Sequence, residues 1–208
     1  AAHPSFATSD ELPLLERTLA ALAGEVGAAY PEGLLQVRPA EIQALRNAYR
    51  AAMPPTEGRF VDKFPLNLVH LPAIRLLFPN APLIVVLRDP RDVVLSCFMQ
   101  DFVPNEAMVH LGSLRSAAAL YCRVMGLWRR WQPRCDGVCV VRYEDIVTDL
   151  EGQAWRLLEH LGADWDPAVL DYHRRAAGRR ISTPSHADVG QPIFTRSAGR
   201  WRRYEAQM

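Results

Sequence analysis

The chain has 208 residues, 49% of them hydrophobic and 23% charged, and 24 bases against 23 acids leave a formal net charge of +1. This is an ordinary globular mix with enough apolar material for a sizeable core, and at about 150 residues per domain it predicts one domain over 1–208. The near-zero balance excludes a general nucleic-acid or membrane binder while leaving room for a local basic site, and without an apolar run of about 18 residues no transmembrane helix is expected.

Leu12, Leu15, Leu19, Leu22 and Val26 recur at helical spacing and predict a helix over 10–29. Thr8, Ser9 or Asp10 can cap it, and its first turn tolerates Pro13. Pro39 opens a second helix through Ile42, Leu45 and Tyr49, ended by Pro54-Pro55. Arg59-Phe60-Val61-Asp62 reads as a short strand with Lys63 at its end. Asn67 then caps a helix carrying Leu68, Leu71, Leu76 and Leu77, which closes near Pro79-Asn80. Leu83-Ile84-Val85-Val86-Leu87 is a continuous apolar run of strand length and reads as a buried parallel strand. It stops at Arg88-Asp89-Pro90, and a helix with Val93, Val94, Cys97 and Phe98 follows. After a connection at 103–106, a long helix over about 112–131 carries Leu114, Ala118, Tyr121, Met125 and Trp128 roughly on one face. Val138-Cys139-Val140-Val141 is the next strand, leading into Arg142-Tyr143-Glu144-Asp145, and helices follow over 151–161 and 167–175. The stretch 178–199 has no helical or strand period and is rich in Arg, Ser, Thr, Pro and Gly, the mark of a functional or disordered loop. Strands alternating with helices predict an α/β fold of parallel βαβ units with helices on both faces, and Trp128, Trp155 and Trp165 are expected in its core.

The four cysteines, Cys97, Cys122, Cys135 and Cys139, are too few to staple a fold, and reduced thiols in a cytoplasmic protein fit them best. No His near Cys135 and Cys139 completes a zinc set, so no metal is expected. The N-terminus lacks a basic stretch followed by an apolar one, so no signal peptide is expected; an opening Ala1 in place of Met predicts a processed chain or a piece of a longer one. Of the 24 basic residues only Lys63 is a lysine. Arg and Lys differ in kind, since an ammonium is a compact point charge.

In an open α/β sheet, ligands bind beyond the carboxyl ends of the strands. The candidates are therefore Lys63, then Arg88 and Asp89, then Arg142, Tyr143, Glu144 and Asp145. Arg88 leaves its strand, and Ser96 lies two turns into the next helix, so a guanidinium and a hydroxyl can share one phosphate near a helix N-terminus. A local Arg88–Asp89 ion pair with an ordinary helix serine explains the same residues equally well. Glu11 reads first as a helix-start carboxylate, with Asp10 competing for any catalytic role, and Tyr143-Glu144-Asp145 alone would be a turn and cap. From His173 to Tyr204 eight arginines stand against one acid, Asp188, which suits a solvated face or a basic lid over an anion.

Taken together, these residues resemble the sulfotransferase family, closer to its bacterial tetratricopeptide-linked and tyrosylprotein branch than to its steroid and phenol branch. The carriers are Ala2-His3-Pro4 with Asp10-Glu11; Asp62-Lys63-Phe64-Pro65-Leu66-Asn67; Leu77-Phe78-Pro79-Asn80-Ala81; the run from Val86 through Arg88-Asp89-Pro90-Arg91-Asp92 to Ser96; Val141-Arg142-Tyr143-Glu144-Asp145; and Gln191-Pro192-Ile193 leading to Gly199-Arg200-Trp201. The resemblance implies a P-loop nucleoside-kinase-like parallel sheet flanked by helices. It implies the donor 3′-phosphoadenosine 5′-phosphosulfate (PAPS), the bisphosphate product PAP, no metal, and sulfuryl transfer to a hydroxyl or amine on a small molecule, a sugar or a peptide tyrosine. Arg88 and Ser96 match the pair on the donor's 3′-phosphate, Lys63 the lysine near the bridging oxygen, Glu11 the acceptor's base, and Tyr143 a tyrosine near the adenosine. Ser185 and Arg200 fall roughly where that branch has a serine and a lysine on the donor's phosphates, with Arg in place of the lysine.

The family's phosphosulfate loop, of the form Pro-x-Ser-Gly-Thr-Thr, is expected well before His3 and does not occur in the chain. A domain truncated at its N-terminus, and at its C-terminus near Met208, is therefore expected, missing its first strand and loop and turning over poorly alone, with tetratricopeptide repeats of the kind often found upstream. Neither nucleic acid nor membrane is an expected partner. Two other readings stay open: a P-loop kinase using ATP, and a non-catalytic nucleotide-binding remnant.

Overall fold

The computed structural model describes residues 2–9, 11–102, 105–176 and 190–208. Their contacts divide them into two compact units, His3–Ala81 and Pro82–Met208. The first unit begins with a strand that periodicity does not reveal, β1 (Phe6–Thr8), too short to show alternation. Thr8, a candidate cap from the sequence, is instead part of this strand and donates its hydroxyl to the Val61 carbonyl.

The helix predicted over 10–29 is two helices, α1 (Leu14–Ala20) and α2 (Leu22–Val26). Pro13 delays the start, because the residue before a proline avoids the helical region, and α1 starts after Pro13 with no side-chain cap. At Ala21 the chain tightens, with the Ala21 N–H donating to the Thr18 carbonyl, and α2 ends on Gly27 in the left-handed region at φ 73°. Helix α3 (Pro39–Ala52) matches its expected span. Pro39 sits in its first turn, Glu41 accepts the Arg38 backbone N–H at 2.9 Å, and Met53, preceding Pro54, is extended and stops it.

Strand β2 (Arg59–Val61) lies parallel to β1, with Phe6 opposite Arg59 and Thr8 opposite Val61. Asn67 does not cap the next helix. It lies inside a 3₁₀ turn (Pro65–His70), and α4 (Leu71–Leu77) starts only after it. The leucines of these helices face one another: Leu15, Leu19, Leu22, Leu45, Ala73 and Leu77 form the buried core of this unit. Beside it, His70 Nδ1 meets the Tyr30 hydroxyl at 2.9 Å, and burial pushes the imidazole pKa down.

In the second unit β3 (Leu83–Leu87) pairs in parallel with β4 (Val138–Arg142), with Leu83 opposite Val138 and Leu87 opposite Arg142. Strand β3 has the predicted bounds, but it is not buried on both faces: Val85 is buried, whereas Val86 is 59% exposed. Side chains alternate along a strand, so Val85 and Val86 face opposite sides of it. Between these strands run α5 (Pro90–Phe98) and α6 (Leu114–Trp131). Asp89 caps α5 by accepting the Arg91 N–H, Ser113 caps α6 by accepting the Ser116 N–H, and α6 turns Ala117 and Trp128 inward.

Tyr143-Glu144-Asp145 is more than a turn, being the start of α7 (Tyr143–Thr148). Helix α8 (Leu150–Leu161) follows, capped by Asp149 and closed by left-handed Gly162. The helix expected at 167–175 is a 3₁₀ turn (Pro167–Val169) and α9 (Tyr172–Ala176). Trp128 is core as expected, but Trp155 and Trp165 are not: they stack on each other with centroids 4.5 Å apart, and Trp155 is half exposed. The chain is thus α/β, with parallel strands flanked by helices, and among the described residues no helix is long and apolar enough to cross a membrane.

Two measurements check this packing. Leu77→Ala leaves a cavity in the first unit and lowers unfolding free energy by about 2–5 kcal/mol in urea titrations. His70 contributes a pH dependence: its folded pKa lies below the unfolded value of about 6.5, so as pH falls the unfolded chain takes up the proton first. Stability is complete above the unfolded value and declines below it. Between about pH 7.5 and about pH 5.5 the thermal midpoint therefore drops less in His70→Gln than in the parent chain.

Candidate active site

In the first unit, β1 and β2 run parallel, so their carboxyl ends deliver the next residues to the same side. Glu11 follows β1, Lys63 follows β2, and Lys63 Nζ donates to Glu11 Oε1. The lysine is exposed while the carboxylate is partly covered. One residue earlier the chain is anchored: the Tyr49 hydroxyl donates to Asp62 Oδ2 at 2.7 Å. Burial raises the Asp62 pKa, against the downward pull of its hydrogen bonds from Tyr49 and Asn67, and burial followed by Asp62 raises the Tyr49 phenol. Tyr49 in turn packs on Phe78, with ring centroids 4.9 Å apart. Asp62 thus ties the chain just past β2 to α3, and the next side chain is that of Lys63.

The same parallel logic builds the second unit's cluster. Leu87 pairs with Arg142, so the residues that follow, Arg88 and Tyr143, emerge side by side. The Arg88 guanidinium lies 4.7 Å over the Tyr143 ring. The next pair continues the register through a side chain: the Asp89 backbone N–H donates to Glu144 Oε1 at 2.7 Å. Arg88 Nη2 donates to the Ser197 carbonyl at 2.5 Å and stands 4.0 Å from Asp92 Oδ2. Its Nε is buried and has no hydrogen-bond partner among the described residues, so this donor is free for an anion's oxygen. Asp92, in the first turn of α5, accepts the backbone N–H groups of Gly199 and Trp201. Trp201 is buried beneath Arg91, whose guanidinium carbon lies 3.5 Å from the ring centroid.

The structure therefore brings together Glu11 with Lys63, and Arg88 with Tyr143. Ser96 is half-buried on α5, one turn beyond Asp92. Arg200 lies in the Arg200–Gln207 turn, its Nη2 3.3 Å from Met99 Sδ. Ser185 lies outside the described residues. What sequence reasoning missed is Asp92, together with the part the Ser197 carbonyl plays. The one signal for it was the spacing of Arg88 and Asp92, four apart across a helix start; the link to Gly199 bridges a separation of 107 residues that no local pattern reveals.

A family model described as the sulfotransferase family matches residues 6–167. An uncharacterized protein of Aquifex aeolicus (strain VF5) is 25% identical over 214 residues, a match that covers 98% of this chain and 28% of that protein. The chain thus spans under a third of that relative. Among solved structures, the sulfotransferase domain from the olefin synthase of Synechococcus PCC 7002 superposes with a TM-score of 0.56 at 22% identity, covering 97% of this chain and 79% of that one. The sulfotransferase domain from the curacin biosynthetic pathway superposes with a TM-score of 0.59 at 19% identity, covering 97% and 83%. Both share the fold.

Asp89 gives this region a stability test. The Arg91 side chain, which hydrogen-bonds its carboxylate, holds the Asp89 pKa below the usual range. Its contribution is complete above the unfolded value of about 3.9 and is lost as pH falls through the lower folded value. Asp89→Ala costs about 1 kcal/mol at neutral pH through the lost cap, and its stability falls less steeply on acidification than the parent's, as read by chemical denaturation across pH.

Proposed function

The chain belongs to the sulfotransferase family, and from that premise we propose that it transfers a sulfuryl group from PAPS to a hydroxyl or amine acceptor. The observation that carries this reading is the Glu11–Lys63 pair, an acid and a lone lysine brought together from two parallel strand ends. Arg88 supports the donor half, because a buried guanidinium N–H without a partner among the described residues suits a phosphate oxygen.

In this reading Arg88 and Ser96 hold the 3′-phosphate, with Tyr143 beside the adenosine and Ser185 and Arg200 contributing to the phosphates. When bound, the donor supplies a sulfuryl group activated by its phosphate leaving group. Glu11 accepts the proton that the acceptor's hydroxyl or amine gives up as it attacks. Lys63 meets the negative charge that develops on the departing phosphate oxygen. Sulfuryl transfer, like phosphoryl transfer, is an in-line displacement governed by positioning and charge stabilisation. The pairing of Lys63 with Glu11 gives each group a defined resting orientation, and as the acceptor attacks, the proton it releases passes to Glu11 in place of the ammonium contact.

The expected results are specific. In an assay with labelled PAPS, Lys63→Ala lowers kcat by about 10²–10³ while leaving affinity for PAP near the parent value. Glu11→Gln lowers kcat by about 10²–10⁴, because the amide cannot take the proton. In thermal-shift measurements PAP stabilises the protein, whereas ATP with magnesium does not. Stabilisation by ATP with magnesium alone points instead to a kinase, and a rate indifferent to Lys63→Ala removes that residue from the chemistry.

A further inference from the structure

A carboxylate with no access to solvent is costly unless donors surround it. Asp92 is 1% exposed, and its two oxygens are met by two backbone amides from the far end of the chain: Oδ2 accepts Gly199 N–H at 2.6 Å and Oδ1 accepts Trp201 N–H at 2.8 Å. These are the amides on either side of Arg200. Gly199 is left-handed at φ 69°, a conformation that L side chains rarely adopt, so the turn that presents both N–H groups favours glycine. The same segment is gripped from its other side, since the Ser197 carbonyl accepts from Arg88 Nη2. Arg88, just before α5, and Asp92, in its first turn, form a long ion pair of 4.0 Å. The carboxylate's close hydrogen bonds go to the two amides, one to each oxygen.

From this arrangement we propose that Asp92 is a positioning residue that clamps the Ser197–Trp201 segment onto α5. The clamp does two things. It gives the carboxylate's close hydrogen bonds to the backbone, leaving the buried Nε of Arg88 for an anion, and it fixes the backbone on both sides of Arg200. Asp92 touches neither donor nor acceptor; it acts through Arg88 and Arg200. The proposal rests on the reading of Arg88 as a ligand of the 3′-phosphate.

The test separates the clamp from that reading. Amide hydrogen exchange reports the clamp with no ligand present. In Asp92→Asn the side-chain amide can accept only one of the two N–H groups, so exchange at Gly199 and Trp201 accelerates while the α6 amides keep the parent rates. Calorimetric titration with PAP reports the consequence: affinity falls about tenfold or more, as expected for lost hydrogen bonds to a charged group. In the PAPS assay KM for the donor rises while kcat changes far less, a split that general destabilisation does not produce. Gly199→Ala strains the same turn without altering any side chain of the cluster and reproduces both effects. The double variant is no worse than the more affected single one, as for two changes in one device. Unchanged exchange in Asp92→Asn overturns the proposal, as does faster exchange with unchanged PAP affinity. Should Asp92→Asn fail to fold, Gly199→Ala alone decides by the same two readouts. If the parent chain does not bind PAP, the functional reading fails instead, and the exchange data still decide whether Asp92 holds the segment.

Discussion

The second unit depends on how one buried carboxylate is satisfied. Asp92 lies in the first turn of α5, where the helix dipole favours a negative group, yet it is sealed from water and therefore has to collect donors. In the local sequence the Arg88 guanidinium comes no nearer than 4.0 Å. The remaining donors come from Gly199 and Trp201, so the carboxylate joins the middle of the chain to its last turn. The same attachment holds Trp201 by its backbone N–H, and its indole lies buried beneath Arg91.

A second constraint operates in both units: parallel pairing sets which side chains become neighbours. Thr8 opposite Val61 places the segments that carry Glu11 and Lys63 at one end of a short ladder, and Leu87 opposite Arg142 does the same for Arg88 and Tyr143. Side chains far apart in sequence then meet because the backbones beneath them are already in register. The hydrogen bond from Asp89 N–H to Glu144 extends that register one step past the end of the strand. In each unit the polar groups that could perform chemistry stand just past the hydrogen-bonded strands, where the ladder no longer satisfies them.

How far the sequence could be read follows from the range of the forces involved. Strand Leu83–Leu87 was legible to the residue, since its apolar run ends abruptly at Arg88, and α3 was legible because prolines mark both of its ends. β1 was not, because its three residues carry no period and pairing with Arg59–Val61 alone makes them a strand. Trp155 and Trp165 were misplaced for a related reason: an indole's size predicts burial on average, but these two cover each other instead of the core. In the site, Lys63 and Arg88 stood out by position after a strand. Glu11 was visible only through resemblance to a family, since a carboxylate near a helix start has an ordinary explanation. Asp92 stood in plain view within the quoted motif, but its partners lie more than a hundred residues away.

The isolation of Lys63 has a practical side. Every other basic side chain in the sequence except histidine is a guanidinium, and Lys63 is exposed where it holds Glu11. Acylating or reductively methylating reagents that seek side-chain amines therefore have a single address, and it is the atom on which the proposed chemistry turns. Isotopic tagging of that one nitrogen yields one resonance, free of overlap, through which the state of its carboxylate neighbour can be followed.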